Sequence, residues 1–326
     1  MHMADALVSP AVGGAMLATS AVLIGISARK VRENFDNSKI PLMGVMGAFV
    51  FAMQMINFTI PATGSSGHIG GGMMLAALLG SYPAFLVISA VLIIQALFFA
   101  DGGLLALGAN IFNMGFWTCF IAYPLVFLPI AKDFSSRKRI VLASVASSIV
   151  GLQFGSFCVV LETLCSGVTE LPFGVFAGLM LPIHFAIGAV EGVLTAMLIL
   201  FLKEARPELF NAENSGRSLS FKAVCGYFAL ASFVIAGAIS LLASEYPDGL
   251  EWSIGKIMKG EELSAGGKIY EAFSLIQTKL SVFADYAVQG LGGTASSVIA
   301  GIAGVLIVAL FIVLYANFLR KRHCER

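Results

Sequence analysis

The sequence predicts an all-α fold, a polytopic transmembrane helical bundle, on three observations. Hydrophobic residues make up 58% of the chain and charged residues 12%, half the roughly 25% charged of a typical soluble domain, and mean hydropathy is +0.90. Apolar runs close to the ~20 residues that cross a bilayer recur along the chain. Between them the basic residues gather in four clusters, as in a chain that threads back and forth. A length of 326 residues would suit two or three soluble domains, but the charge is too sparse to cover their surfaces, so lipid is the main solvent.

About seven spans are expected in a first module, residues 1–210: the runs 8–28, 40–57, 70–81, 82–99, 104–130, 139–164 and 173–202. The run 8–28 has no basic stretch before it, so it is read as a retained first span rather than a signal peptide. Ala11, Gly14, Ala15 and Ala18 on it form a small-residue stripe that suits close helix packing, within the monomer or against a partner. The run 70–81 is short, and charge parity decides it. Arg29, Lys30, Arg32 and Lys39 form the first basic cluster, and Lys132, Arg137, Lys138 and Arg139 the second. Both belong inside, so an even number of crossings lies between them, and 70–81 must count. A turn near Ser81-Tyr82-Pro83 is therefore expected at the cytoplasmic side.

A polar linker, Glu204 to Arg217, leads to a second module, residues 218–326, with spans 220–243 and 294–319. The third and fourth basic clusters, around Lys203 and Arg320, also fall inside. The chain is thus expected in the cell membrane, with its N-terminus outside and its C-terminus cytoplasmic. The loop 244–293, between the last two spans, is mildly acidic and lies outside.

Net charge is +1, so no global field recruits nucleic acid. The five cysteines, Cys119, Cys158, Cys165, Cys225 and Cys324, form no C-x-x-C pair and read as small apolar residues rather than metal ligands. No G-x-x-x-x-G-K-[ST] is present, so the chain holds no ATP of its own, and no catalytic pattern stands out. A non-catalytic membrane subunit is expected.

The start, Met1-His2-Met3, is the chemically informative segment. Histidine is too large at position 2 for removal of Met1, which leaves a free amine. That amine, the His2 backbone nitrogen and His2 Nδ1 can close five- and six-membered chelate rings around one ion. Planar nitrogen ligation suits Ni(II) or Cu(II) better than zinc. His68, in the Gly-rich loop Gly64 to Gly72, can supply a fourth nitrogen, with Asn57, Ser65 and Ser66 to orient it. Taken singly, a Met-His start is an ordinary frayed terminus and a loop histidine is unremarkable. Their placement on one side of a chain with four histidines is what pairs them.

His184 and Glu191 lie seven residues apart in the seventh span, hence on one helix face. They form either a functional intramembrane pair or a buried network that fixes packing. Asn110 and Asn113 form a similar stripe, read as structural glue. Asp101 and Glu162 sit at outer span ends, where solvated carboxylates are ordinary.

Several stretches carry a resemblance. Met1 to Pro10, the run Gln54 to Gly72, Asp101-Gly102-Gly103 through Asn113-Met114-Gly115, and His184, Gly188, Glu191 and Gly192 resemble the CbiM/NikM family. These are the substrate-binding membrane components of nickel and cobalt energy-coupling-factor (ECF) transporters. Pro247-Asp248-Gly249-Leu250-Glu251-Trp252 and Ala284-Asp285-Tyr286 are similar to the PDGLE, or NikN-type, domain fused to it. The resemblance implies capture of Ni(II) or Co(II) by the Met1 amine, His2 and His68. It also implies a membrane coupling subunit and two cytoplasmic ATPase subunits as partners, with the first-span stripe as a contact, and a second module that helps load metal. The rival readings are a stand-alone metal permease or channel using His184 and Glu191, and a membrane-embedded structural or sensing subunit.

Overall fold

A computed structural model describes residues 2–34, 39–132, 134–207, 219–259, 263 and 265–324, the last four as backbone only. Six of its helices are long and apolar enough to cross a membrane: α1 (Pro10–Glu33), α4 (Ser81–Phe98), α5 (Leu107–Ala131), α6 (Arg137–Ser166), α7 (Phe173–Ala205) and α11 (Thr294–Cys324). Two apolar helices, α2 (Lys39–Gln54) and α8 (Phe221–Gly237), are shorter. The remaining helices are α3 (Gly72–Leu79), α9 (Gly249–Met258) and α10 (Lys268–Leu280). A small antiparallel hairpin, β1 (Phe58–Ile60) and β2 (Ser65–Gly67), precedes α3.

Local chemistry explains several boundaries. Ser9 caps α1 by accepting from Val12 N–H at 3.3 Å, with Pro10 in the first turn. Ser220 does the same for α8 through Ala223 N–H. Asp248 and Glu251 form a capping box at the start of α9. Gly167 closes α6 in the left-handed region, at φ 60°. Within α5 the residues Phe112–Phe127 are wound as a π-helix that contains Pro124.

The expected span 70–81 is corrected. Its helix, α3, has 8 residues, about 12 Å of rise against ~30 Å of hydrocarbon. The extended stretch from Ser65 to Gly71, buried throughout, supplies the rest of the path. Such backbone is tolerated at depth because protein satisfies it: Gln54 Nε2 donates to Gly70 O at 2.8 Å, and Gly70 N–H donates to Glu191 Oε2 at 2.7 Å. The turn nevertheless lies beside the first basic cluster, since Gly80, Ser81, Tyr82 and Pro83 line one groove with Lys30 and Lys39. The second and third basic clusters also share an end, where Arg137 pairs with Glu204 and Lys203 Nζ reaches Ser135 O at 3.0 Å.

Most of the expected linker, residues 208–218, lies outside the described residues. The helices on either side pack together closely. A Cβ at Gly47 of α2 would stand 2.2 Å from Ile312 Cδ1, and one at Gly304 of α11 would stand 2.2 Å from Phe51 Cζ, so these glycines permit α2 and α11 to touch. That packing carries α9 and α10 over the end of the bundle at which the chain begins.

Candidate metal centre

The N-terminal segment is inserted into the bundle, not frayed. Met3, Leu7 and Val8 are fully buried. Asn110 clamps the main chain of Met3 at two points, accepting from its N–H at 2.7 Å and donating to its C=O at 3.1 Å. Gly103 N–H reaches the same carbonyl at 2.9 Å. Asp5 Oδ1 accepts from Ala106 N–H at 3.0 Å, and a Cβ at Gly103 would collide with that carboxylate. The segment can lie there only because position 103 has no side chain. Asn113 donates to Glu162 Oε2 at 2.7 Å and sits 3.8 Å from Met3 Sδ. The asparagine stripe is thus the anchor of residues 2–5, and Glu162, set aside as solvated, is buried and bonded within it.

This anchoring brings His2 onto His68. Their rings stack with centroids 5.1 Å apart and planes 14° from parallel. His2 Nδ1 lies 2.8 Å from Asp101 Oδ1, while the buried His2 Nε2 has no hydrogen-bond partner. The chelate reading uses Nδ1, so it requires this ring to turn away from Asp101. Tyr286 of the second module donates to Asp101 Oδ2 at 2.5 Å and accepts from Gln95 Nε2 at 3.1 Å. Burial would raise the Asp101 pKa. The His2 charge and the hydrogen bonds from His2 and Tyr286 outweigh it and hold the carboxyl well below the usual carboxylate range. Asp101 therefore joins the His2 cluster to the second module, a link that sequence reasoning missed. The Asp101-Gly102-Gly103 run was the available signal.

His68 Nδ1 lies 3.0 Å from Ile69 O. A carbonyl only accepts, so Nδ1 carries the proton and Nε2 carries the lone pair. That is the neutral form a ligand must have.

The expected orienting residues are engaged with the hairpin turn and the outer loop. Ser66 donates from its N–H to Pro247 O at 2.8 Å and from Oγ to Tyr246 O at 2.7 Å. Ser65 pairs with Thr63, and Asn57 O accepts from Ser244 N–H at 2.7 Å. His184 and Glu191 share no hydrogen-bond partner. Glu191 accepts from Gly70 N–H and also from the backbone of Gly71 and Met73, which fixes the segment after His68 and the start of α3. His184 Nδ1 donates to Met180 O at 2.8 Å, one turn back on α7.

Met1 lies outside the described residues. Among the described residues no group of three or more His, Cys, Asp or Glu could hold a metal ion. His2 and His68 alone therefore do not complete a coordination shell. Above the two rings opens a cavity of ≈ 750 Å³, walled by the N-terminal segment, the loop after α4 and the second module. Ala11, Gly14, Ala15 and Ala18 of α1 are exposed, so the small-residue stripe faces out of the bundle rather than into it.

Residues 2–209 match the family model CbiM, described as a cobalt uptake substrate-specific transmembrane region, and residues 222–321 match the PDGLE domain. An Archaeoglobus fulgidus protein that carries the name of a fused nickel transport protein, NikMN, is 29% identical over 316 residues, 94% of this chain and 95% of its own. The fused nickel transport protein NikMN of Rhodobacter capsulatus is 32% identical over 225 residues, 64% of this chain and 63% of its own. A crystal structure of a transition metal transporter superposes with a TM-score of 0.56 at 29% identity, covering 65% of this chain and 97% of that one.

Proposed function

Because this chain belongs to the CbiM family, with a PDGLE domain joined behind it, we propose that it is the metal-capturing component of an ATP-driven ECF-type importer of Ni(II) or Co(II). In this reading the ion is held at the outer face by the Met1 amine, the His2 backbone nitrogen, His2 Nδ1 and His68. The observation that carries it is the buried stack of His2 on His68, built at the end of the bundle away from the basic clusters. In this reading the basic clusters mark the cytoplasmic side, with the N-terminus outside and the C-terminus inside.

The ion meets a neutral His68 and displaces Asp101 from His2 Nδ1. Nitrogen donors in a plane favour nickel, and two relatives that share the fusion are named for nickel transport. Nucleotide hydrolysis belongs to two cytoplasmic ATPase subunits, reached through a membrane coupling subunit that docks on the exposed small-residue stripe of α1. The modules are residues 1–210 and 218–326, the second closing over the first.

One added residue before Met1, or acetylation of its amine, tests the hook. Loss of nickel binding with the fold intact is expected, and unchanged binding would remove the amine from the ligand set. Uptake by the purified chain alone in liposomes, without ATP or partners, would instead favour the permease reading.

A further inference from the structure

Helix α10 (Lys268–Leu280) belongs to the loop between the last two spans. At 3.6 residues per turn its side chains divide into two faces. Tyr270, Glu271, Ser274 and Gln277 fall on one face and line the ≈ 750 Å³ cavity. Ile269, Ala272, Ile276 and Leu280, spaced three, four and four apart, fall on the other. Ile269 is 48% exposed, Ile276 49% and Leu280 43%. Lys268, Leu275 and Lys279 run along the edge of that stripe and are exposed too. Phe273, between the two faces, packs on the core. A helix on a soluble surface turns its apolar stripe inward. Here the face turned in carries Glu271, Ser274 and Gln277.

Depth decides what covers the stripe. Tyr270 Oη donates to Val8 O at 2.9 Å. Gln277 Nε2 donates to Ala96 O at 3.0 Å and to Gly102 O at 2.8 Å, at and just beyond the last turn of α4. Past the end of α10, Phe283 N–H donates to Phe98 O at 2.9 Å. The helix therefore lies across the ends of α1 and α4. About 20 residues separate Val8 from Arg29, the first basic residue of α1, and as helix they rise about 30 Å, the thickness of the hydrocarbon. That sets α10 at the far edge of the hydrocarbon, level with the lipid headgroups. Exposed apolar side chains continue around the same end: Val282 and Leu291 before α11, and Ile239, Leu241 and Leu242 after α8.

We propose that α10 is an interfacial membrane helix, whose stripe Ile269, Ala272, Ile276 and Leu280 seats among phospholipid acyl chains at the headgroup boundary. Lys268 and Lys279, beside the stripe, reach the lipid phosphates, as long basic side chains do at that depth. One helix thus meets the cavity with its polar face and lipid with its apolar one. The cavity wall is fastened to the bilayer on its far side, with or without a bound ion.

The test uses the full chain in lipid nanodiscs with one tryptophan added, Ile276→Trp on the stripe or Ser274→Trp on the cavity face. The parent, with Trp117 and Trp252, supplies the baseline. Lipids brominated on their acyl chains are expected to quench about half of the added Ile276→Trp signal, and acrylamide almost none, while Ser274→Trp shows the reverse. Acrylamide quenching of both alike would put the stripe in water and overturn the proposal. Protection of Ile276→Trp from both quenchers would mean that protein covers it, a second copy or a partner, and would overturn it too. A tryptophan itself favours the interface, so hydrogen exchange of Ile269→Gln/Ile276→Gln supplies a check without one. Amides of α10 should exchange about tenfold faster than in the parent, with those of the spans unchanged. On a water-facing helix the same changes are near neutral, so equal exchange in α10 would sink the inference. A rise that spreads into the spans, the mark of residues packed on protein, would sink it as well.

Discussion

The chain holds its buried histidines in two contrasting settings. His2 and His68 come from segments 66 residues apart and stack face to face beneath a wide polar cavity. His184 sits within α7 with its Nδ1 bonded to its own helix, and the cavity it borders is only ≈ 10 Å³. Its neighbour Glu191 spends its carboxylate on the backbone before α3. Burial of an ionisable group is common to both regions, so burial does not distinguish them. What distinguishes the first is convergence of separate elements, rings held by named partners, and space for an ion. On the proposed function the outer pair binds the ion and the inner pair holds the fold.

Three outcomes would sharpen or break that contrast. The largest expected effect is from His68→Ala, which removes an imidazole nitrogen. Nickel affinity should fall about a thousandfold, roughly 4 kcal/mol, in equilibrium titrations, while the metal-free chain melts nearly as before. Glu191→Ala should behave in the opposite way. It leaves the Gly70 N–H, with those of Gly71 and Met73, without an acceptor, at a cost on the order of 3 kcal/mol. The thermal midpoint in detergent should drop clearly, and affinity should follow only as the fold loosens. A Glu191→Ala chain of full stability that fails to bind nickel would dissolve the distinction.

Asn110→Ala removes the clamp on Met3 and strands a buried N–H. About 2 kcal/mol, or roughly thirtyfold in nickel affinity, should be lost, chiefly as faster release.

Much of this was legible in the sequence, and the misses have physical reasons. Span positions follow from composition, and the turn at Ser81 to Pro83 does lie beside the first basic cluster, although α3 proved too short to span. Hydropathy cannot tell an eight-residue helix preceded by buried extended backbone from a full span, because both are apolar. The histidine pair could be named because histidine is scarce in this chain. Asp101 and Glu162 were passed over because a carboxylate at a span end normally meets water. Here the N-terminal segment and the second module cover that end instead. Tyr286 could not have been linked to Asp101 by spacing, since 185 residues separate them. The small-residue stripe of α1 was readable, but only the packing showed that it faces outward.

X-ray absorption at the nickel edge of the loaded, full-length chain addresses the ligand set most directly. Four nitrogen donors in a plane, with outer-shell scattering from two imidazole rings that halves in His68→Ala, is the predicted result. Six oxygen-rich neighbours, or a spectrum that His68→Ala leaves untouched, would contradict it.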